Sequence, residues 1–290
     1  HKPIKKEDLY DSAARLLLGE DAITAGSGPG DDGHRTAPLK ILLAEDNPVN
    51  QEVALSMLQR FGHLVDVADN GKKAVDMWAA GRYDMVLMDV QMPVMDGYSA
   101  TAAIREKETA QQRGRTPIIA MTAHAMEGDR QKCLDAGMDD YLPKPVSSTT
   151  LLAKVAEYGG GKTQEPKQES REYPANEEER FSVKGVVRSL GLDPENAARL
   201  VEKFVETSLG NINNLREAIS AGDVDSAIRM AHSVKGSSLQ IGAVAMGRAA
   251  EKIEALGKVG ILSDDSMGKF DTLVEEYNQV CRDLETDAKD

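Results

Sequence analysis

The chain has 290 residues, with 35 lysines and arginines against 48 aspartates and glutamates and a formal net charge of −13. That balance argues against nucleic acid as a partner, and no apolar stretch approaches the roughly 18–20 residues that a membrane span needs. Cys133 and Cys281 have no paired spacing, so neither a disulfide framework nor a metal cluster is implied, and the length suits two domains of ordinary size.

In chain order, residues 1–19 carry Lys2-Pro3-Ile4 followed by Leu9, Tyr10, Ala13 and Leu16. This repeats, in register, Lys144-Pro145-Val146 followed by Leu151, Leu152, Val155 and Tyr158. Residues 20–38 have several glycines and few apolar residues and read as a linker.

From residue 39 short apolar runs alternate with helical patterns. Lys40-Ile41-Leu42-Leu43-Ala44 leads into Glu45-Asp46, Met85-Val86-Leu87-Met88 into Asp89, and Ile118-Ile119-Ala120-Met121 into Thr122. Runs that are apolar throughout suit buried parallel strands. The helical patterns include Val53, Leu55, Met57 and Leu58 after Pro48, and Ala74, Val75, Met77 and Trp78 after Gly71. Five such alternations predict a doubly wound α/β sheet, whose ligands bind at the carboxyl ends of the strands. The acids, Thr122 and Lys144 all fall at those ends. A lone Asp after a strand is ordinarily a cap or turn former, but here several chemically matched positions occur in order. An Asp-nucleophile phosphatase would want an acid where Gln91 stands, and a dinucleotide fold would want a glycine-rich turn in place of Glu45-Asp46-Asn47-Pro48.

These residues, with the Met92-Pro93-Val94-Met95-Asp96-Gly97 loop and the Lys144-Pro145 pair, resemble the response-regulator receiver family over residues 39–158. The resemblance implies a flavodoxin-like five-stranded parallel sheet with Asp89 as phosphoacceptor. It implies Mg2+ held by Glu45, Asp46, Asp89 and the backbone carbonyl of Gln91, and phosphoryl oxygens bound by Thr122 and Lys144. Tyr141 stands where the family keeps an aromatic switch residue that works with Thr122. The chemistry agrees: a carboxylate attacking a phosphoryl group meets like-charge repulsion, which a hard divalent cation on oxygen ligands relieves. Transfer through a loose transition state then needs positioning and charge stabilisation, the work expected of Lys144 and Thr122. Small Ala123 would leave room beside Asp89, and Lys144-Pro145 is expected to be a cis peptide, since that isomer is essentially confined to X-Pro bonds.

Residues 159–178 run Gly-Gly-Gly and then Gln, Glu, Lys and Pro, and read as a flexible linker. The remainder, 179–290, is helical in pattern: a short leading helix around Phe181 to Leu190, then Asp193-Pro194 as cap and first residue of a long helix. Gly222-Asp223 separates it from the helix carrying His232, and two more follow, Ala245 to Leu256 and about Asp264 to Leu284. Their apolar stripes predict an antiparallel four-helix bundle, so the fold class is α/β plus all-α. Ala227, Met230, Val234 and Ile241 share one side of their helix and His232 lies nearly opposite, which predicts an exposed imidazole, nucleophilic near neutral pH. Lys235 and Gly236 lie beside it at i+3 and i+4.

The string Ala231-His232-Ser233-Val234-Lys235-Gly236-Ser237-Ser238, with Gly242 following, resembles the histidine phosphotransfer (HPt) family. The resemblance implies phosphotransfer through His232, phosphoryl binding by Lys235, and a docking surface opened by the missing side chain of Gly236. Together the two likenesses imply an intermediate stage of a two-component multistep phosphorelay. Asp89 would take phosphate from a histidine kinase domain, in the same parent chain or in trans, and His232 would pass it to a downstream response regulator receiver. On this reading residues 1–19 are the last helix of a preceding receiver-like unit, and the chain is the C-terminal part of a hybrid sensor histidine kinase; a free amphipathic helix is the alternative. No nucleotide-binding glycine-rich segment is present, so ATP use by this chain is not expected. The default compartment is cytoplasmic. A phosphate sink for a downstream regulator and a docking module with a working receiver only remain the rival functions.

Overall fold

The computed structural model describes residues 38–122, 127–159, 180–260 and 264–287. The expected helix at 1–19, the linkers at 20–38 and 159–178 but for their end residues 38 and 159, and Ala123 lie outside them. The chain divides into two compact units, one within 35–171 and the other drawing on 172–290.

In the first unit five strands alternate with five helices: β1 (Lys40–Ala44), α1 (Pro48–Arg60), β2 (Leu64–Ala68), α2 (Gly71–Ala80), β3 (Met85–Asp89), α3 (Gly97–Ala110), β4 (Ile118–Thr122), α4 (Glu127–Asp135), β5 (Asp140–Pro143) and α5 (Ser148–Tyr158). All pairings are parallel, in the order β2-β1-β3-β4-β5, the flavodoxin-like order. Every residue of β3 and β4 is buried, which is why these runs are apolar without alternation. Edge strand β2 is mostly half-buried and its first residue, Leu64, is exposed.

Trp78 from α2 fills the core between α3 and the sheet, its indole N–H donating to Thr116 Oγ1 at 3.1 Å. Arg105 of α3 ties the opposite sheet edge together, bonding Glu108, the carbonyls of Thr116 and Gly137, and Asp139. Leu39, just before β1, lies over Gly159, just after α5, so the chain enters and leaves this unit at neighbouring points.

The second unit is helical: α6 (Val183–Leu190), α7 (Pro194–Ala221), α8 (Val224–Ile241), α9 (Val244–Lys258) and α10 (Asp264–Asp287). Asp193 caps α7 through Asn196 N–H, with Pro194 at its first position. Gly222 and Gly242 end α7 and α8 in the left-handed conformation, at φ 69° and 90°, and reverse the chain into the next helix. The four long helices pack in a cycle, α7 on α8, α8 on α9, α9 on α10 and α10 back on α7, with α6 against α7. Asp283 and Asp287 of α10 accept from the N–H groups of Phe181 and Val183, fixing the leading helix.

Candidate functional site

Strand register gathers the first group of residues. Ala44 pairs with Met88, Asp89 with Met121, and Thr122 with Pro143, so Glu45, Asp89, Thr122 and Lys144 arrive at one edge of the sheet. The Lys144-Pro145 bond is cis, as expected. Lys144 Nζ lies 2.7 Å from Asp89 Oδ2 and 2.7 Å from Glu45 Oε2. Carboxylate oxygens of Glu45, Asp46 and Asp89 all lie within 4.8 Å of one another.

Four neighbours fix Glu45 and Asp89. Asp89 Oδ1 accepts from the Gln91 N–H at 3.2 Å. Glu45 Oε1 accepts from the Asn47 N–H at 3.3 Å and from Asn50 Nδ2 at 3.0 Å, while Gln51 Nε2 donates to the Glu45 carbonyl at 2.6 Å. Asn47 also caps α1, so the turn that starts the helix is the turn that holds Glu45. Gly97 begins α3 against the Asp89 backbone, where a Cβ would collide with the Asp89 carbonyl oxygen. A side chain there would displace the strand end that carries the candidate phosphoacceptor.

Three carboxylates around one ammonium leave excess negative charge in a buried place. Burial, then the charge of Glu45, pushes Asp46 up to about 6, against the pull of Lys144. The same two causes raise Asp89 well above the usual carboxylate range. Burial works against the Lys144 charge, but the carboxylates of Asp89 and Glu45 outweigh it and raise its pKa. A hard divalent cation on oxygen ligands fits this donor set, since it would balance the charge that Lys144 alone leaves over. Thr122 is buried at the same edge, and Tyr141 in β5 is half-buried against the core.

The second group lies on α8 and α9, and here the sequence expectation needs correction. His232 was expected to be exposed, yet its side chain is only 17% exposed. The apolar stripe of Ala227, Met230, Val234 and Ile241 marks one buried side of α8, but α8 packs between α7 and α9 and is covered on two. Lys235 is likewise buried. Gly247 and Gly257 of α9 lie against Leu239 and Ile228 of α8, where side chains would collide. That close, antiparallel approach brings Glu254 to the imidazole.

Glu254 is almost fully buried and collects three nitrogen donors, the imidazole of His232 through Nδ1 at 3.0 Å and two ammonium groups, Lys235 Nζ at 2.8 Å and Lys258 Nζ at 2.7 Å. Burial alone would raise its pKa, but hydrogen bonds from His232, Lys235 and Lys258 hold it far below the ordinary glutamate value. An ionised carboxylate only accepts, so the nitrogen facing it must carry the proton. A neutral His232 ring then keeps its lone pair on Nε2. Glu254, Lys258, Asn50 and Gln51 were not singled out from the sequence. For Glu254 a signal existed: an acid within the stripe Ala250, Ile253, Gly257, where α9 otherwise presents apolar or small residues.

A family model for the response regulator receiver domain matches residues 41–156, and one for the Hpt domain matches 199–286. The chain is 33% identical over 268 residues to the sensor protein GacS of Pseudomonas syringae pv. syringae, covering 89% of this chain and 28% of that one. It is 30% identical over 205 residues to the aerobic respiration control sensor protein ArcB of Escherichia coli K12, covering 70% of this chain and 26% of that one. It thus spans about a quarter of the length of these relatives. Among solved structures, the receiver domain of the sensor histidine kinase PA1611 of Pseudomonas aeruginosa PAO1 is 47% identical, covering 43% of this chain and all of that one, with a TM-score of 0.40; that protein was crystallised with a magnesium ion coordinated in its active-site cleft. The chain therefore belongs to the two-component signalling families, as a response regulator receiver domain followed by an Hpt domain.

Proposed function

We propose that the chain is an intermediate stage of a multistep phosphorelay, with Asp89 receiving a phosphoryl group and His232 carrying it onward. The observation that carries the reading is the cluster of Glu45, Asp46 and Asp89, whose carboxylate oxygens lie within 4.8 Å of one another, with the Lys144 ammonium 2.7 Å from both Glu45 and Asp89.

In the first transfer a carboxylate oxygen of Asp89 attacks the phosphorus of a phosphohistidine on a kinase domain. The P–O bond forms as the P–N bond breaks, and the donor imidazole leaves with the electron pair. Lys144 turns from carboxylate to phosphoryl oxygens, and the Thr122 hydroxyl donates to another. Mg2+, held by Asp46, Asp89 and the Gln91 carbonyl with Glu45 at its edge, would neutralise charge on both reacting groups. Thr122 drawn toward the phosphoryl group frees space for Tyr141 to turn inward, which shifts a two-state equilibrium.

In the second transfer His232 Nε2 attacks the acyl phosphate, the P–O bond to Asp89 breaks, and the carboxylate is restored. Glu254 holds the Nδ1–H, and so keeps the attacking lone pair on Nε2 and stabilises the positive charge that grows on the ring. Lys235 supplies an ammonium for the transferred oxygens, and the absent side chain of Gly236 admits the partner. Acyl phosphate and phosphohistidine are both high-energy species, so the exchange runs near balance and in either direction. The onward acceptor is an aspartate of a downstream response regulator receiver. The kinase donor and that acceptor are cytoplasmic in this reading; among the described residues no helix is long and apolar enough to cross a membrane.

Incubating the chain with Mg2+ and radiolabelled acetyl phosphate tests the scheme on wild type, Asp89→Asn and His232→Gln. Acid-labile, base-stable label on His232 that disappears in Asp89→Asn supports both transfers. Label on His232 that persists in Asp89→Asn would refute the order, and absence of any label on Asp89 in His232→Gln would refute the receiver assignment.

A further inference from the structure

We infer that Asn50 is a positioning residue of the acidic cluster, gripping Glu45 with one end of its amide and offering the other, Oδ1, to a water of the bound cation. The inference rests on the receiver reading above and assigns work to a residue outside its expected set.

Glu45 is committed to protein donors at both oxygens. Oε1 takes the Asn47 N–H and Asn50 Nδ2, and Oε2 takes Lys144 Nζ. That is three donors, against the two that Asp89 takes from the Gln91 N–H and Lys144, so direct contact with a cation falls first to Asp46 and Asp89, and Glu45 acts chiefly through water. Mg2+ dehydrates reluctantly and keeps several waters. Those waters donate hydrogen bonds and need acceptors just beyond the carboxylates.

Asn50 Oδ1 is such an acceptor. It is a buried side-chain oxygen with no hydrogen-bond partner, a state that folded proteins seldom tolerate. The amide cannot relieve it by turning over, because that would set Oδ1 against Glu45 Oε1. Nδ2 and Oδ1 are two ends of one planar group, so anchoring the donor on Glu45 keeps the acceptor beside the cluster. Gln51, the next residue of the same first turn of α1, holds the Glu45 carbonyl and stiffens the clasp. Hydrogen-bonded groups just outside a metal's own ligands typically account for about 10–100-fold in affinity.

The test titrates Mg2+ alone into the full chain and follows amide NMR shifts around Asp89, for wild type, Asn50→Leu, Asn50→Asp and Asp46→Asn. Asn50→Leu should raise the Kd for Mg2+ about 10–100-fold, while Asn50→Asp, which keeps an acceptor oxygen and gives up only the Nδ2 donor to Glu45, should lose clearly less. Should Asn50→Leu fail to fold, Asn50→Ala takes its place in the comparison. Wild-type affinity in Asn50→Leu, or an equal loss in Asn50→Asp, overturns the role given to Oδ1 while leaving the receiver reading intact. A folded wild type that gives no Mg2+-dependent shifts, like Asp46→Asn, overturns the cation site and the inference with it.

Discussion

Replacing Glu254 with alanine should destabilise the helical unit while leaving the receiver unchanged. The substitution leaves the Lys235 ammonium, with a side chain 5% exposed, facing only Glu251 at 3.5 Å, and strips the His232 Nδ1–H of its acceptor. Breaking a buried pair by removing one partner costs about 3–5 kcal/mol. Glu251 is exposed and can swing closer, which favours the lower end, about 3 kcal/mol. With a urea dependence of about 2 kcal/mol per molar, the unfolding midpoint of the bundle should fall by about 1.5 M. The two domains can be read apart, because the single tryptophan, Trp78, lies in the receiver and reports by fluorescence, while the bundle dominates helical ellipticity.

The effect also has a defined pH dependence. The Glu254 pKa is lowered in the fold from 4.5, so its stabilisation is complete above that value and fades as pH falls toward the folded one. The gap between wild type and Glu254→Ala should therefore stay constant above about pH 5 and close in stronger acid. A bundle midpoint that moves by less than about 0.2 M at neutral pH would refute the reasoning.

Four further outcomes follow from the geometry. Gly97→Ala should displace the Asp89 strand end, cutting labelling by acetyl phosphate severely and lowering the receiver's stability by about 2–4 kcal/mol, read by Trp78 fluorescence in urea titrations. Arg105→Leu should cost about 3 kcal/mol, since it strands the buried Glu108 carboxylate, yet the labelling rate per folded molecule should stay at wild-type level. Val94 is a β-branched residue at φ 68°, so Val94→Asn, which tolerates that conformation, should stabilise the receiver by about 0.5–1 kcal/mol in urea titrations. Mg2+ at ten times its Kd should stabilise wild type by about 1.4 kcal/mol and Asp46→Asn scarcely at all.

The receiver was legible because its chemistry sits where local signals are loudest. β1, β3 and β4 are short runs buried almost throughout, β3 and β4 ending at Asp89 and Thr122 and β1 leading straight into Glu45, and parallel pairing brings those ends together with no further information. The caps at Asp193 and Gly222 were equally readable, since each acts through its own neighbours in sequence. What escaped depends on contacts between elements. His232 was judged from one helix, but its burial and its partner come from α9, and the closeness of α9 depends on Gly247 and Gly257 lacking side chains. The Arg105 network was hidden for the same reason, because Glu108, Thr116 and Asp139 meet only after the sheet has formed. Asn50 escaped because Asn in a helix's first turn is ordinary, and only the hydrogen bond to Glu45 distinguishes it.

The contact between Leu39 and Gly159 gives the receiver the form of a loop tied at its neck. A domain whose two ends meet can be inserted into a polypeptide, or deleted from it, with little change in the distance between the segments on either side. The strand ends that hold Glu45, Asp89 and Thr122 belong to the carboxyl edge of the sheet, away from the β1 lead-in where the two chain ends meet, so a splice at the neck leaves them where they are.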